Sequence, residues 1–489
     1  MGRHQKTVRI GGGIDRRESG YYSTPSFVSE YIARKLFEIK PNASIALDPC
    51  VGRGEMTSAI KRPETEVYGI DLLNMNPAGV DHFVHGDFIE FYTRRKLSPL
   101  LCDDLPSPDI IIANPPYNCH ETEYIRKHKR HLREVFGRHA TLNMYSLFLT
   151  AIIDLAAPGT AIGVIVHDSF LTARGHETLR RMILSECTIR SLHLCPTDLF
   201  LDQGAEVRTC ILILEKGLRN NKSIDTSNRP TTKKEFSEIL ACNKFEVAER
   251  SHLCLESDRD RSEFLVGVPR QIRELFSESR IGDQFPCITG ISTGNDKAYL
   301  SSERTEEFKY PFYKNPGSRR FFSGPDAYLA TNFIQISSDV PNFIVRNKEF
   351  LFRGGLSCSS MGVAFGAAVL PDQSTYGVNA NIVVDGPDKW WLLSFLNSGL
   401  CTYIVRGAML RSNMITAGYV SRIPVPRFSN QAKVQLGTLA KEAYEMQIAP
   451  SNAQFYIRSI DLVICKDLGL DHSLETTIRD FCDDVVRRS

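Results

Sequence analysis

The sequence predicts a doubly wound α/β domain followed by a mixed α+β domain of less regular texture. Three observations carry that expectation. From Ser44 to about Leu214, short apolar runs alternate with segments of helical spacing, the pattern of a mainly parallel sheet covered by helices. After Glu215 the texture changes: Lys216 to Lys234 is polar and holds Asn220, Asn221 and Pro230, which reads as a linker or exposed excursion. From Phe285 to Pro426 the chain is rich in Gly, Ser and aromatic residues, with only short strand-like runs.

The strands expected in the first domain are Ser44 to Leu47, Val67 to Ile70, His82 to Val84, Ile110 to Ala113, Thr160 to Val166, Ile189 to Leu194 and Arg208 to Leu214. Thr141 to Ala157 has helical spacing and stops at Pro158-Gly159, Gly175 to Leu184 reads as another helix, and Glu55 to Ile60 begins one. Ser451 to Asp467 and Glu475 to Arg488 read as two closing amphipathic helices. A chain of 489 residues exceeds one typical core, at roughly 100 to 200 residues per domain. The expected division is 1–235, 236–430 and a helical segment 431–489 packed on the middle one.

The formal net charge is +2, so any grip on a polyanion must come from local patches of Lys and Arg. Thirteen cysteines are scattered singly, with no Cys-x-x-Cys pair, as expected of buried free thiols in a reducing compartment. Met1 to Gly20 is basic and Gly-rich without the apolar core of a signal peptide. The most apolar stretch, Tyr145 to Val166, is interrupted by Asp154, Pro158 and Gly159, well short of the ~20 residues that span a bilayer. A cytosolic protein without a membrane partner is expected.

The strongest chemical signal is Asn114-Pro115-Pro116-Tyr117 directly after the run Asp109 to Ala113. This places it at the carboxyl end of a strand, where open α/β sheets bind ligands. An adenine amino group is a poor nucleophile, because its lone pair is delocalised into the ring. The amide oxygen of Asn114 and the carbonyl of Pro115 can accept both of its N–H bonds and draw the nitrogen towards a tetrahedral state, while the two prolines keep that carbonyl rigid. Tyr117 offers a flat face to an unstacked base. A second signal is Asp48-Pro49-Cys50-Val51-Gly52-Arg53-Gly54, again after a strand, where glycines let the backbone approach a ligand. The ending of a phosphate loop is absent. Asp71 closes the next strand at the spacing of a carboxylate that holds ribose hydroxyls.

With these motifs the chain resembles the amino-group DNA methyltransferases acting on adenine, in the class typified by the TaqI methyltransferase. The resemblance covers most of the chain. Gly20-Tyr21-Tyr22-Ser23-Thr24-Pro25 is similar to the family's first cofactor motif, which implies that Thr24 and Pro25 meet the methionine part of S-adenosylmethionine. It likewise implies cofactor contacts for Asp48, Pro49, Cys50, Gly52, Gly54, Asp71 and Asn114, and a pair, Asp87 and Phe88, that bonds and covers the cofactor adenine. Phe200 stands where the family places an aromatic residue on the second face of the flipped base. Thr289 to Lys297, Tyr376 to Asn379, Ser394 to Ser398 and Ile423 to Pro426 resemble parts of its target recognition domain. One departure is His167-Asp168, where relatives often carry a Pro after the strand.

The resemblance implies a Rossmann-like S-adenosylmethionine domain in 1–235 and a DNA target recognition domain in 236–430. Double-stranded DNA is the expected partner, the chain acting as a monomer that modifies one adenine in a specific site and protects it from a cognate restriction endonuclease without a stable complex. No metal is expected. The basic run Arg126, Lys127, Lys129, Arg130, Arg133 and Arg138, together with Arg319, Arg320 and Arg411, is expected to meet phosphates. Two alternatives stay open on sequence: a methyltransferase for RNA or a protein glutamine amide, and a catalytically idle DNA-binding subunit. His167, Asp168 and Ser169 make no hydrolase relay, because adjacent residues cannot form one. Pro371-Asp372 lacks room for a fused nuclease, and Asn221-Lys222-Ser223 fits a glycosylation acceptor only formally.

Overall fold

The computed structural model describes residues 21–98, 105–117, 121–137, 143–218, 223–258, 260–360, 364–409 and 414–487. The chain divides into two compact units, Met1–Gly267 and Val268–Ser489. The division falls later than residue 235 because Leu253, Cys254, Phe264 and Val266 are part of the first unit's core.

The first unit is built on nine strands: β1 (Ile45–Asp48), β2 (Glu66–Asp71), β3 (His82–His85), β4 (Ile110–Ala113), β5 (Ala161–His167), β6 (Cys187–Leu194), β7 (Thr209–Lys216), β8 (Ser223–Ser227) and β9 (Glu246–Glu249). Their order is β3-β2-β1-β4-β5-β7-β6-β8-β9. Strands β1 to β5 are mutually parallel, and β7 runs antiparallel between β5 and β6. All seven expected strands are present. The segment Lys216 to Lys234, expected as a linker, instead contributes β8, which pairs parallel with β6. Its sequence, Ser-Ile-Asp-Thr-Ser, has one apolar side chain and so offers no apolar run to read, yet Ile224, Thr226 and Ser227 are buried.

The central strands carry apolar residues on both faces, as parallel sheets require, and every residue of β4 is buried. Helix α1 (Ser26–Ile39) lays Val28, Ile32 and Leu36 on one face of the sheet. It sits close because β5 offers Gly163 there; a Cβ at that position would lie 2.4 Å from the Ile32 side chain. The other α-helices of the unit among the described residues are α2 (Glu55–Ile60), α3 (Phe88–Leu97), α4 (Glu121–Phe136), α5 (Met144–Leu155), α6 (Glu177–Glu186), α7 (Lys233–Cys242) and the single turn α8 (Arg250–Leu253). The strand order reverses between β1 and β4, and a crevice opens at such a switch point outside the carboxyl ends of the strands.

The second unit is mixed α+β. One four-stranded sheet joins Cys287–Ile288, Asn381–Val383, Gly355–Cys358 and Ala367–Leu370; another joins Leu300–Ser301, Ala327–Ala330, Phe308–Tyr313 and Thr375–Tyr376. Helix Gly386–Asn397 packs against Asn430–Glu445, which packs against Ala453–Leu468, and His472–Arg487 closes the unit. The last two match the closing helices expected from the sequence. Among the described residues no helix is long and apolar enough to cross a membrane.

Candidate active site

A cavity of about 430 Å³ lies at the carboxyl ends of β1, β2 and β4, and its lining includes Thr24, Pro49, Cys50, Gly52, Asp71, Asp87, Phe88, Asn114 and Pro116. These come from five separate stretches of sequence, gathered by the parallel order of the strands. Gly54 and Pro25 sit behind the wall. Gly54 has φ +90° and its Cα is packed on the Ala78 backbone, so it shapes the turn into α2; Pro25 precedes the first residue of α1.

Three carboxylates, Glu55, Asp71 and Asp87, line the cavity, and a fourth, Asp48, is buried outside the lining next to Pro49 and Cys50; each is fixed differently. Asp48 is fully buried; one oxygen accepts the Cys50 N–H at 3.0 Å, and the other has no partner among the described residues. Burial, reinforced by the nearby charge of Asp71, pushes its pKa up to about 8. A buried acceptor of this kind calls for a donor, best a cation. Asp71 accepts from the Gly52 N–H at 2.9 Å and the Leu73 N–H at 2.8 Å, and each oxygen retains capacity towards a ligand hydroxyl. Burial raises its pKa as well. Asp87 caps α3 through the Ile89 N–H at 2.8 Å and accepts the Tyr124 hydroxyl at 2.9 Å; beside it Phe88 packs on Phe148 with ring centroids 5.2 Å apart. Glu55 accepts the hydroxyls of Tyr21 and of Ser23, tying the segment before α1 over the cavity.

The loop 114–117 is held by hydrogen bonds that settle the direction of the Asn114 amide. Asn114 Nδ2 donates to the Tyr22 carbonyl at 3.0 Å and to Thr24 Oγ1 at 2.9 Å. With both amide protons engaged, Oδ1 is left as the acceptor. The Tyr117 hydroxyl donates to that oxygen and is also 3.1 Å from the Ile165 carbonyl. Thr24 thus orients Asn114 in addition to lining the cavity. Pro115 is buried and outside the lining, whereas Pro116 is part of it.

Tyr22, Tyr117 and Phe200 form a buried triangle with centroids 5.9 to 6.1 Å apart. Tyr117 and Phe200 touch each other at 6.0 Å, tilted by 55°, ordinary contact geometry for two rings. No base fits between them until one ring turns aside. Turning Tyr117 aside breaks the hydrogen bond made by its single hydroxyl proton, shared between Asn114 Oδ1 and the Ile165 carbonyl, and a phenylalanine has none to break. Tyr117→Phe is therefore expected to favour the open slot by about five-fold, at roughly 0.5 to 1.5 kcal/mol for the one bond lost. On the expectation from the sequence that a base enters here, Tyr117→Ala should instead weaken its capture by about ten-fold or more through lost stacking. Fluorescence of 2-aminopurine placed at the target position reads both.

Some site residues carry no local motif. Gln203 exchanges two hydrogen bonds with the Ser23 backbone, at 2.8 and 2.7 Å, and joins Glu55, Tyr22 and Tyr124 among them. Tyr22 lies inside the segment Gly20 to Pro25 that the sequence singles out, which gives it no role of its own there.

The basic run lies on α4. Ile125, Leu132, Val135 and Phe136 face the core, while Arg126, Lys127, Lys129, Arg130 and Arg133 are exposed, Arg130 paired with Glu134 at 3.2 Å. Arg138 and Arg411 lie outside the described residues. Arg319 is held by Asp326 at 2.8 Å and by the Pro316 carbonyl. Arg320 corrects the phosphate-contact expectation: it is buried, donates to the Ala364 and Gly317 carbonyls, and burial lowers its pKa to about 10. A phosphate cannot reach it.

An open α/β sheet with an acid-lined hollow at its switch point and an amide on the adjoining loop has the form of a ligand-binding α/β protein. Comparison with known proteins makes this specific: residues 14–264 match the model of the N-6 DNA Methylase family, and the chain belongs to that family. It is 27% identical over 239 residues to the type II methyltransferase M.BanIII of Aneurinibacillus aneurinilyticus, covering 42% of this chain and 40% of that protein. It is 28% identical over 355 residues to the type II methyltransferase M.BsuBI of Bacillus subtilis, covering 61% of this chain and 70% of that protein. The fold of the type IIL restriction-modification enzyme MmeI, solved in complex with DNA, matches over 97% of this chain and 79% of that one, with TM-score 0.55 and 12% identity.

Proposed function

We propose that the chain transfers the methyl group of S-adenosylmethionine to N6 of an adenine swung out of duplex DNA, as the modification enzyme of a restriction-modification system. The observation that carries it is the Asn114 amide, locked by its two donated hydrogen bonds so that its oxygen, which accepts from Tyr117, keeps a second lone pair for a ligand at the edge of a cavity whose carboxylates suit such a cofactor. Asp48 would take the ammonium of the methionine part, Asp71 the ribose hydroxyls, and Asp87 with Phe88 the adenine. When bound, S-adenosylmethionine supplies an electrophilic methyl group on a good leaving group.

The chain's own work is orientation and electrostatics. Asn114 Oδ1 and the Pro115 carbonyl accept the N–H bonds of the target amine and concentrate its lone pair on nitrogen. Tyr117 and Phe200, parted by the entering base, stack on its two faces and replace the neighbours it left in the duplex. The surplus proton departs after transfer, directly or through water, with no dedicated base assigned.

The exposed face of α4 supplies phosphate contacts beside the catalytic loop. Replacing Lys127, Lys129 and Arg133 by glutamine should reduce the slope of log affinity against log salt by about one for each phosphate that is no longer neutralised; an unchanged slope would remove α4 from the DNA interface. Transfer of labelled methyl groups to duplex DNA, free RNA and a glutamine peptide tests the function as a whole. Label in duplex DNA alone is expected, and label in RNA or peptide with none in DNA would transfer the proposal to the rival substrate.

A further inference from the structure

Residues 21 to 24 form a strap that three parts of the first unit hold at once. On one side the Tyr21 hydroxyl and Ser23 Oγ donate to Glu55, the first residue of α2, and the Tyr21 ring lies so close to Gly52 that a Cβ there would be 2.5 Å from it. In the middle the Tyr22 carbonyl and Thr24 Oγ1 accept the two amide protons of Asn114. On the far side the half-buried Gln203 takes the Ser23 backbone as a neighbouring strand would. The Ser23 N–H donates to its Oε1 at 2.8 Å, and its Nε2 donates to the Ser23 carbonyl at 2.7 Å. Tyr21, Tyr22 and Thr24 all line the cavity, so a ligand that fills it meets the strap directly.

Gln203 ends a tight turn that begins at Phe200. The Phe200 carbonyl accepts the Gln203 N–H at 3.0 Å and the Ala205 N–H at 3.2 Å, and Gly204, with φ +76°, closes the turn. Phe200 and Gln203 therefore move as one piece. Resting on the reading above of the cavity as the cofactor site and of Phe200 as half of the base clamp, we propose that Gln203 is the positioning residue that couples the two, so that a cofactor which fixes the strap also seats Phe200 for the incoming base. The Tyr22 and Phe200 rings, with centroids 5.9 Å apart, also join the strap to the clamp, but rings in contact can slide, whereas two opposed hydrogen bonds fix both distance and direction. The strap and the turn are ordered once, by whichever ligand binds first, and the second binds at lower cost. By linkage the base tightens the cofactor by the same factor as the cofactor tightens the base.

The test uses the full-length protein and two variants. Gln203→Met keeps the length of the side chain and loses both hydrogen bonds; Gln203→Glu keeps an acceptor for the Ser23 N–H and sets a carboxylate against the Ser23 carbonyl. Each protein is titrated with duplex DNA carrying 2-aminopurine at the target position, with and without saturating sinefungin, an unreactive analogue of S-adenosylmethionine. The ratio of the two Kd values for DNA is expected to be about five or more in the wild type and to fall to about one in both variants. A merely structural role would weaken both ligands and leave that ratio intact. A wild-type ratio of one, or a ratio kept by either variant, overturns the proposal. A second arm needs no DNA: sinefungin should slow amide hydrogen exchange across residues 201–205 in the wild type and not in Gln203→Met, and equal exchange with and without sinefungin in the wild type overturns it as well. Wild-type protein that binds no duplex DNA would fail the activity proposed above, while the exchange arm still judges Gln203.

Discussion

Asn114→Ala is expected to lower the single-turnover rate of methyl transfer by about 1,000-fold, near the upper end for a preorganised group acting on the reacting centre, with the Kd of S-adenosylmethionine largely unchanged. The target amine loses its amide acceptor, and the Pro115 carbonyl alone cannot concentrate the nitrogen lone pair. The Asn114 side chain also donates to Tyr22 and Thr24, so its loss loosens the segment over the cavity, but Gln203 and Glu55 still hold that segment through Ser23. The two effects separate in the kinetics: a rate loss with intact cofactor binding supports the role given to Asn114, whereas unchanged turnover contradicts it.

The second large effect is at Asp48. Asp48→Asn is expected to weaken S-adenosylmethionine binding by about 100-fold, as a hydrogen bond to a charged partner contributes roughly 1.5 to 3 kcal/mol. The pH dependence follows from a carboxyl that burial holds at about 8 instead of the ordinary 3.8. The folded protein keeps a proton on Asp48 that the unfolded chain releases, so without cofactor this group's contribution to stability is fully present below 3.8 and is lost as pH rises to about 8. The cationic cofactor favours the ionised form, so its binding releases a proton and tightens as pH climbs towards 8. Asp48→Asn has no such proton. Above pH 8 and without cofactor it should melt higher than the wild type; with saturating cofactor the order should reverse. Calorimetry in buffers of different ionisation enthalpy reads the proton release directly, and equal release by both proteins would remove Asp48 from the cofactor contact.

Much of the first unit was legible because its chemistry is local. β1, β2, β4, β5, β6 and β7 are apolar runs long enough to need cover on both faces, and Asp48, Asp71 and Asn114 each sit at or just past a strand end, where the topology forces them to converge. β8 and β9 were not legible: Ser-Ile-Asp-Thr-Ser and Glu-Val-Ala-Glu extend one margin of the sheet and lack the apolar density that marks inner strands. Arg320 shows the converse limit. Beside Arg319 it looks like half of a basic patch, but only the packing around Gly366 reveals that its guanidinium is interior. Gln203 and Glu55 act on Ser23 across 180 and 32 positions of sequence, a coupling that no spacing rule encodes. The closed contact of Tyr117 with Phe200 was equally hidden: the residue types announced a clamp, and the fold puts the two rings against each other.

The pocket chemistry is tested most directly by nucleoside mass spectrometry of duplex DNA incubated with the protein and S-adenosylmethionine. N6-methyldeoxyadenosine is expected, formed by the wild type and accumulating about 1,000-fold more slowly with Asn114→Ala. A methyl group recovered only on a ring carbon, or equal rates of N6-methyldeoxyadenosine formation by both proteins, would contradict an amide-tuned amine as the nucleophile.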